Sequence, residues 1–512
     1  MSDILFGQSY FLRFDPKLWQ AMQPYPPLGT LYAASYLRQR GYGVALFDAM
    51  LALSEDEWGQ SLERHQPAFA ILYEDNFNYL SKMCLLRMRQ ATFQMINLAR
   101  QRGCTVILCG ADATDHAEEY LAKGADFILL SEGELTLAEL LERLTGKSAT
   151  NFQDIPGLAY RFMGQARHNP RRAELSDLDS LPFPARDLVD MEHYRSIWME
   201  RHGYFSTNLV TTRGCPFHCN WCAKPIWGQR YHTRSPENVA AEMLWLKQQV
   251  HPDHVWFADD IFGLKPGWLR RFAGCVQAED AQIPFKCLSR VDLLLRPQEV
   301  EALRQAGAQT VWVGAESGSQ KILDAMEKGT RVEQIHAARS LLGAAGIKTG
   351  FFLQFGYPGE TRLDIEKTIQ MVRNADPDDI GISVSYAMPG TKFYTLVREQ
   401  LGAKQNWQDS SDLAMLYSGP FSTAFYRKLH SVVHKEFRAR KAWQALKGLF
   451  GAGKVLTVQA VHSALRLAYN LMTLPFARWQ LNRLAQKPHQ GSVSIPYMPP
   501  EAASQPTPQD ER

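Results

Sequence analysis

TTRGCPFHCNWCAKPIWG, residues 211–228, places Cys215, Cys219 and Cys222 within eight residues, spaced by three residues and then two. Thiolates are the protein ligands of iron–sulfur clusters. Three of them on a four-iron cluster leave one iron open to a further ligand, whereas a structural zinc site closes with four. His218 lies inside the same short loop, where tetrahedral closure is awkward, and the next cysteine, Cys275, is more than fifty residues away. The segment therefore reads as an open-iron 4Fe-4S centre, with zinc as the bland alternative.

Outward from this loop the sequence alternates strand and helix patterns about six times across residues 205–395. The candidate strands are NLVTTR (208–213), HVWFAD (254–259), FKCLS (285–289), TVWVGA (310–315), TGFFLQF (349–355) and DIGISVSY (379–386). Six units predict a partial, TIM-like (β/α)6 barrel, with chemistry at the strand C-terminal ends. The cysteine loop follows the first strand. Later strand ends carry Asp259 and Asp260, Arg290, then Glu316 and Ser317, and the Gly-rich turn FGYPGET (355–361).

Residues 1–145 show a second alternation. Strands are expected at 44–49, 69–74, 105–110 and 126–134, with helices at 28–43 and near 116–123. Buried strands separated by helices imply a Rossmann-like, doubly wound parallel sheet. Ligands bind such sheets beyond the strand C-termini, here at Tyr73-Glu74, Gly110-Ala111-Asp112 and Ser131-Glu132-Gly133. Residues 146–204 read as an irregular connector, because LPFPARDL (181–188) holds prolines that preclude a regular helix. Residues 396–487 read as helical. The segment 488–512, rich in Pro, Gln and Ser, is expected to be disordered.

Bulk properties bound the function. A chain of 512 residues with 45% apolar and 21% charged residues is a globular protein of two or three domains. Eight cysteines in so long a chain are no disulfide framework. The N-terminus shows no secretory signal. No apolar run of the length that spans a bilayer appears, so a cytoplasmic location is expected. Charge is uneven. Residues 421–487 hold twelve Lys or Arg against one acid, Glu436, in a chain of net charge +3. Trp, Phe and Leu are interleaved with these cations. Such helices suit an anionic membrane surface, which predicts peripheral association with the inner face; a solvated helical cap is the plain alternative. The aromatics do not form a stacking platform, so no nucleic-acid partner is expected.

The CxxxCxΦC pattern, with Trp221 before the last cysteine, resembles the radical S-adenosylmethionine superfamily. The resemblance implies that the open iron chelates the amino and carboxylate groups of S-adenosylmethionine and that Trp221 packs near the adenine. It places Asp259 and Asp260 near the methionine amino group, although Ala258-Asp259-Asp260 stands where the family commonly has Gly-Gly-Glu. It puts Arg290, Glu316 and Ser317 at the ribose and carboxylate; Arg290 and Glu316 pairing inside the barrel mouth is the simpler reading, and both can hold.

PYPPLGTLYAASYLRQRGY (24–42) and CGADATDHAEEYLAKGADFILLSEGE (109–134) resemble the cobalamin-binding domain of one radical subclass, that of the anaerobic Mg-protoporphyrin monomethyl ester cyclase and the hopanoid methylases. The resemblance implies that Gly110 and Gly133 let backbone approach the corrin, and that Tyr73, Asp112, Thr114 and Glu132 line it. An Asp-x-His-x-x-Gly signature is absent, so no histidine is nominated as a lower cobalt ligand. The implied activity is C-methylation of an unactivated carbon in an isoprenoid, membrane lipid or tetrapyrrole, with a flavodoxin or ferredoxin as electron donor. Radical cyclisation, carbon–carbon coupling or oxidation without methyl transfer is the first alternative; a non-catalytic iron–sulfur sensor is the second.

Overall fold

The structure, a computed structural model, describes residues 3–83, 85–222, 226–451 and 458–486. Its first sheet has β1 (Ile4–Gly7), β2 (Val44–Leu46), β3 (Phe69–Tyr73), β4 (Thr105–Cys109) and β5 (Phe127–Leu129), all parallel, in the order β2-β1-β3-β4-β5. β1 is buried at every position, as a central strand covered on both faces must be. The sheet order reverses between β1 and β3, and the crevice beyond the C-terminal ends of those strands is where ligands bind in doubly wound sheets. The first strand, four residues near the terminus, is absent from the sequence reading.

The connector is also more ordered than expected. β6 (Leu158–Phe162) and β7 (Gln165–His168) form an antiparallel hairpin that extends the sheet beyond β5. Its turn residues, Met163 and Gly164, both have positive φ, the geometry that matches a two-residue hairpin to strand twist. A helix, Met191–His202, follows. The Asp190 carboxylate caps it by accepting from the His193 N–H. LPFPARDL itself forms no α-helix, only a single 3-10 turn at Arg186–Leu188.

The second sheet contains β8 (Ser206–Leu209), β11 (His254–Phe257), β12 (Phe285–Ser289), β13 (Ala308–Glu316), β14 (Lys348–Phe355) and β15 (Asp379–Val384), all parallel and in sequence order. This is the six-stranded partial barrel that the alternation predicts. Between β8 and β11, β9 (Thr212–Arg213) and β10 (His232–Thr233) pair antiparallel and pinch the base of the cysteine loop. Alternate residues of the sheet, among them Val255, Phe257, Phe285, Cys287, Val311, Val313, Phe351 and Leu353, are buried in one apolar core. The residues between them, such as Trp256, Lys286, Leu288, Trp312 and Phe352, point to the concave side and keep solvent-accessible surface.

Residues 401–422 are a largely irregular strap rather than the helix expected there. The strap returns to the first unit: Ser410 donates from N and Oγ to the Asp15 carboxylate at 3.1 and 2.6 Å. Leu86 N–H donates to the Trp407 carbonyl at 2.8 Å. Two long helices follow, Thr423–Gly451 and Val458–Ala485. The tail expected to be disordered, 488–512, lies outside the described residues.

Candidate functional site

Gly214 turns the chain from β9 into the cysteine loop. Its φ is +80°, and a Cβ there would sit 2.1 Å from the Arg230 carbonyl oxygen, so only glycine fits. Cys215, Cys219 and Cys222 are each partly exposed, and no described cysteine forms a disulfide. Asn220 anchors the loop to the segment after β13. Its Nδ2 donates to the Ala325 carbonyl at 2.7 Å, its N–H donates to the Met326 carbonyl at 3.0 Å, and its Oδ1 accepts from the Tyr357 hydroxyl at 3.0 Å. Trp221 packs against a satellite core that includes Ile322, Met326, Tyr357 and Phe393. Its indole Nε1 is buried without a hydrogen-bond partner among the described residues. A buried indole N–H normally finds an acceptor, so this one fits a ligand whose acceptor lies beside the loop.

Cations gather on the thiolates. Arg290 Nη1 lies 3.9 Å from Cys219 Sγ, and the guanidinium sits 3.6 Å over the Phe217 ring. Asp292 holds Arg290 at 3.0 Å, and the Lys328 carbonyl accepts from it at 3.1 Å. Lys328 Nζ in turn pairs with Glu316 at 2.8 Å and lies 5.8 Å from the Trp221 ring centre. Burial lowers the Lys328 pKa, but the charges of Glu316 and Cys219 overcome it and hold the amine above its ordinary value. Glu316 itself has φ +55°, a left-handed conformation that costs a non-glycine residue about 1–2 kcal/mol. Gly314 makes the room: a Cβ there would meet Glu316 Oε1 at 2.5 Å and Lys328 Nζ at 2.6 Å. Arg290 and Glu316 do not pair directly: Arg290 donates to Asp292 and to the Lys328 carbonyl, and Glu316 takes the amine of Lys328, a residue that sequence reasoning missed. No periodic pattern marks a lysine twelve residues past the strand end.

Three strand-end residues take other tasks. Asp259 is buried and accepts four hydrogen bonds, from the N–H and hydroxyl groups of Thr211 and Thr212, at 2.7–3.0 Å. Burial pushes its carboxyl up to about 6 against those bonds. Asp259 therefore clamps the chain entering the cysteine loop instead of facing a methionine amino group. Asp260 pairs with Lys82 of the first unit at 2.5 Å. Ser317 is fully buried, 3.1 Å from the Thr368 hydroxyl, beneath the loop rather than in its mouth.

In the first unit the two glycines accommodate the protein's own side chains. A Cβ on Gly110 would meet Glu74 Cγ at 2.8 Å, and one on Gly133 would meet Cys109 Sγ at 2.6 Å and the Tyr73 ring at 2.8 Å. The polar residues expected beside them are already bonded. Asp112 pairs with Arg89 at 2.5 Å, and although burial raises its pKa, the Arg89 bonds bring it below the usual carboxylate range. The Thr114 hydroxyl donates to the Gly110 carbonyl at 2.8 Å. Glu132 accepts from Leu175 N–H at 2.6 Å. Among the described residues, the buried atoms without a hydrogen-bond partner include Glu132 Oε1, Gln8 Nε2 just after β1, Asn76 Oδ1 just after β3, and Ser81 Oγ on the following helix. The last three flank the point where the sheet order reverses.

That edge faces the barrel mouth. Arg213, next to the cysteine loop, pairs with Glu134 at 2.6 Å and Glu132 at 3.5 Å. Phe77 stacks on Trp227 at 5.1 Å. Tyr79 exposes 52% of its surface, yet burial and the charges of Cys222, Glu316, Tyr386 and Asp260 push its hydroxyl pKa up.

Residues 209–372 match the model of the Radical SAM superfamily. An uncharacterized methyltransferase of Pyrococcus horikoshii is 27% identical over 67% of this chain and 74% of its own. The anaerobic magnesium-protoporphyrin IX monomethyl ester cyclase of Synechocystis sp. is 24% identical over 73% of each. The fold resembles that of OxsB, a cobalamin-dependent S-adenosylmethionine radical enzyme solved with aqua-cobalamin and S-adenosylmethionine, with a TM-score of 0.69 over 94% of this chain and 72% of that one at 16% identity. The matched residues are those of the barrel that carries Cys215, Cys219 and Cys222 on the loop after its first strand.

Proposed function

We propose that the chain is a cobalamin-dependent radical S-adenosylmethionine enzyme that methylates an unactivated carbon of an apolar substrate. One observation carries this reading. The C-terminal edge of the doubly wound sheet is joined to the cysteine loop and the barrel strand ends by Arg213–Glu134, Lys82–Asp260 and Phe77–Trp227.

The residues fit the groups. Cys215, Cys219 and Cys222 would hold a 4Fe-4S cluster. Arg290, Trp221 and the Glu316–Lys328 pair would hold S-adenosylmethionine beside it, with the unpartnered Trp221 Nε1 as a donor. Gln8, Asn76 and Ser81, together with the loops at Gly110 and Gly133, would hold cobalamin. When bound, the cluster and S-adenosylmethionine supply a radical able to take hydrogen from an unactivated C–H bond, and cobalamin supplies a methyl group. The protein's own residues orient these groups and exclude water. Arg290, stacked on Phe217, keeps positive charge beside the thiolates, and the interdomain ion pairs hold the two halves of the site together. A flavodoxin or ferredoxin would deliver the electron.

No described helix is long and apolar enough to cross a membrane. The helix Val458–Ala485 nevertheless exposes Leu465, Tyr469, Met472, Phe476 and Trp479 at the spacing of one helical face. Lys435 lies over Tyr469 and Arg483 over Trp479. Apolar residues bordered by cations suit an anionic bilayer surface, whereas a second copy would bring like charges together. Peripheral docking there supports an apolar substrate drawn from the membrane. Ring closure without methyl transfer is the second reading, favoured by the relative named as a cyclase.

The test is anaerobic reconstitution with iron, sulfide and cobalamin, followed by reduction with S-adenosylmethionine. The proposal expects corrin absorbance in the desalted protein and 5′-deoxyadenosine as product. Full cluster occupancy with no retained corrin would overturn the cobalamin assignment, and an intact cluster with no 5′-deoxyadenosine would overturn the enzymatic one.

A further inference from the structure

The concave face of the barrel carries an arrangement that neither packing nor the cofactors account for. Trp312 on β13 and Phe352 on β14 stack with centroids 4.7 Å apart and planes at 27°. The ring of Trp312 lies flat over Gly350, where a Cβ would stand 2.3 Å from the indole, and Phe352 lies over Gly381, where a Cβ would stand 3.1 Å from its ring. Two glycines in adjacent strands thus clear a floor for an aromatic platform. Phe352 remains 40% exposed on that platform. Deeper in the barrel, on β12, Lys286 points to the same side. Its neighbours are aromatic: Nζ lies 4.8 Å from the Trp256 ring centre and 5.4 Å from that of Tyr25. Among the described residues no carboxylate forms an ion pair with it. A half-buried cation flanked by ring faces, with no ion-pairing acid among the described residues, gains from the arrival of an anion.

Register orders these parts. Lys286 pairs with Thr310, Leu288 with Trp312, and Gly314 with Phe352. The order along the concave face, toward the strand C-terminal ends, is therefore Lys286, then Trp312, then Phe352, then the Glu316 and Arg290 level. Four residues of strand separate Lys286 from Arg290, about 13 Å at the usual rise.

We infer that the concave face of the barrel binds a flat apolar substrate bearing one anionic group, with the anion on Lys286 and the ring system on Trp312 and Phe352. The substrate carbon nearest the cysteine loop then lies on the order of 13 Å from the anion. This rests on the proposed radical chemistry only for the identity of the occupant as substrate; the binding itself is tested apart from it.

The experiment uses the reconstituted holoenzyme and two fluorescent probes of equal shape, 1-pyrenebutyrate and the neutral 1-pyrenebutanol, titrated against tryptophan fluorescence. Wild type should bind the carboxylate about tenfold tighter or better, the ratio expected of one charge-assisted contact. Lys286→Gln should abolish that preference and leave pyrenebutanol binding unchanged, while Lys286→Arg should keep the preference. Phe352→Ala, at an exposed position that the fold tolerates, should weaken both probes several-fold. Equal affinity of wild type for the two probes, no binding of either, or a preference that survives Lys286→Gln overturns the inference. Those results can coexist with normal 5′-deoxyadenosine formation, so the radical reading would stand; loss of 5′-deoxyadenosine with probe selectivity intact would do the reverse.

Discussion

Arg290 and Cys219 meet across the barrel mouth, with Nη1 3.9 Å from Sγ and the guanidinium plane lying on Phe217. Stacking fixes the direction of the charge, and the Lys328 carbonyl fixes its depth. A lysine at 290 would supply charge without the planar stack or the second bond. Arg290→Lys should therefore keep most of the reconstituted iron but lower 5′-deoxyadenosine formation at least tenfold. Arg290→Ala should lose iron as well, read as bound iron and cluster absorbance per protein. Unchanged turnover in the lysine variant would show that charge alone suffices.

The buried pair of Arg213 with Glu134 joins the cysteine loop to the first unit. Arg213 also faces buried Glu132, so removing the cation strands two carboxylates, at about 3–5 kcal/mol, whereas removing all three charges is far milder. Arg213→Met should thus lower the melting temperature and open the junction to limited proteolysis. Arg213→Met combined with Glu132→Gln and Glu134→Gln should recover much of the loss. A triple variant less stable than the single one would mean that these charges do not carry the coupling.

How much of this was legible beforehand follows from where each residue sits. The six barrel strands read clearly because parallel strands covered on one face by helices keep apolar residues at fixed alternation, as in TVWVGA. β7, QARH, is polar and mostly exposed, so no pattern announces it. The cysteines are visible through spacing alone. Adjacent Asp259 and Asp260 are indistinguishable as letters, yet one turns to Thr211 and Thr212 and the other to Lys82. Lys82 and Tyr79 reach the mouth from another domain, a juxtaposition that exists only after folding.

Glu360 gives a pH signature opposite to that of an ordinary acid. Burial raises its carboxyl from 4.5 to about 8, despite the Gly356 N–H donating to it at 2.7 Å. Between those values the folded chain holds a proton that the unfolded chain has released, so this group stabilises progressively as pH falls from about 8. The limit is about 1.4 kcal/mol per pH unit. The buried His254 and the half-buried His430 and His434, lowered to about 4, 4 and 3, work the other way as pH falls below the ordinary histidine value of 6.5. Comparison of variants isolates the one group: Glu360→Gln should be more stable than wild type at pH 8.5 relative to pH 6.5, by thermal melts at both. Parallel profiles would exclude the shift.

Asn76 tests the proposed corrin site without touching the cysteine loop. Its Oδ1 is buried and unpartnered at the edge of β3, so it offers one hydrogen bond worth about 1 kcal/mol. Asn76→Leu should reduce cobalamin retention about fivefold while iron content stays at the wild-type level. Equal retention would place the corrin's polar contacts elsewhere.

Phe476 and Trp479, stacked at 5.7 Å and exposed to 61% and 51%, decide whether the helix Val458–Ala485 meets a bilayer. Surface positions cost little stability when changed, within about 0.5 kcal/mol, so binding and folding separate cleanly. Wild type should sediment with vesicles of phosphatidylcholine and phosphatidylserine at low salt, and less so as salt screens Arg478 and Arg483. Phe476→Glu with Trp479→Glu removes two apolar anchors and adds two charges of the lipid's own sign. Vesicle binding should then fall at least tenfold with the melting temperature unchanged. Retained binding would move the contact away from this face, and wild-type protein that ignores anionic vesicles at low salt would end the membrane reading.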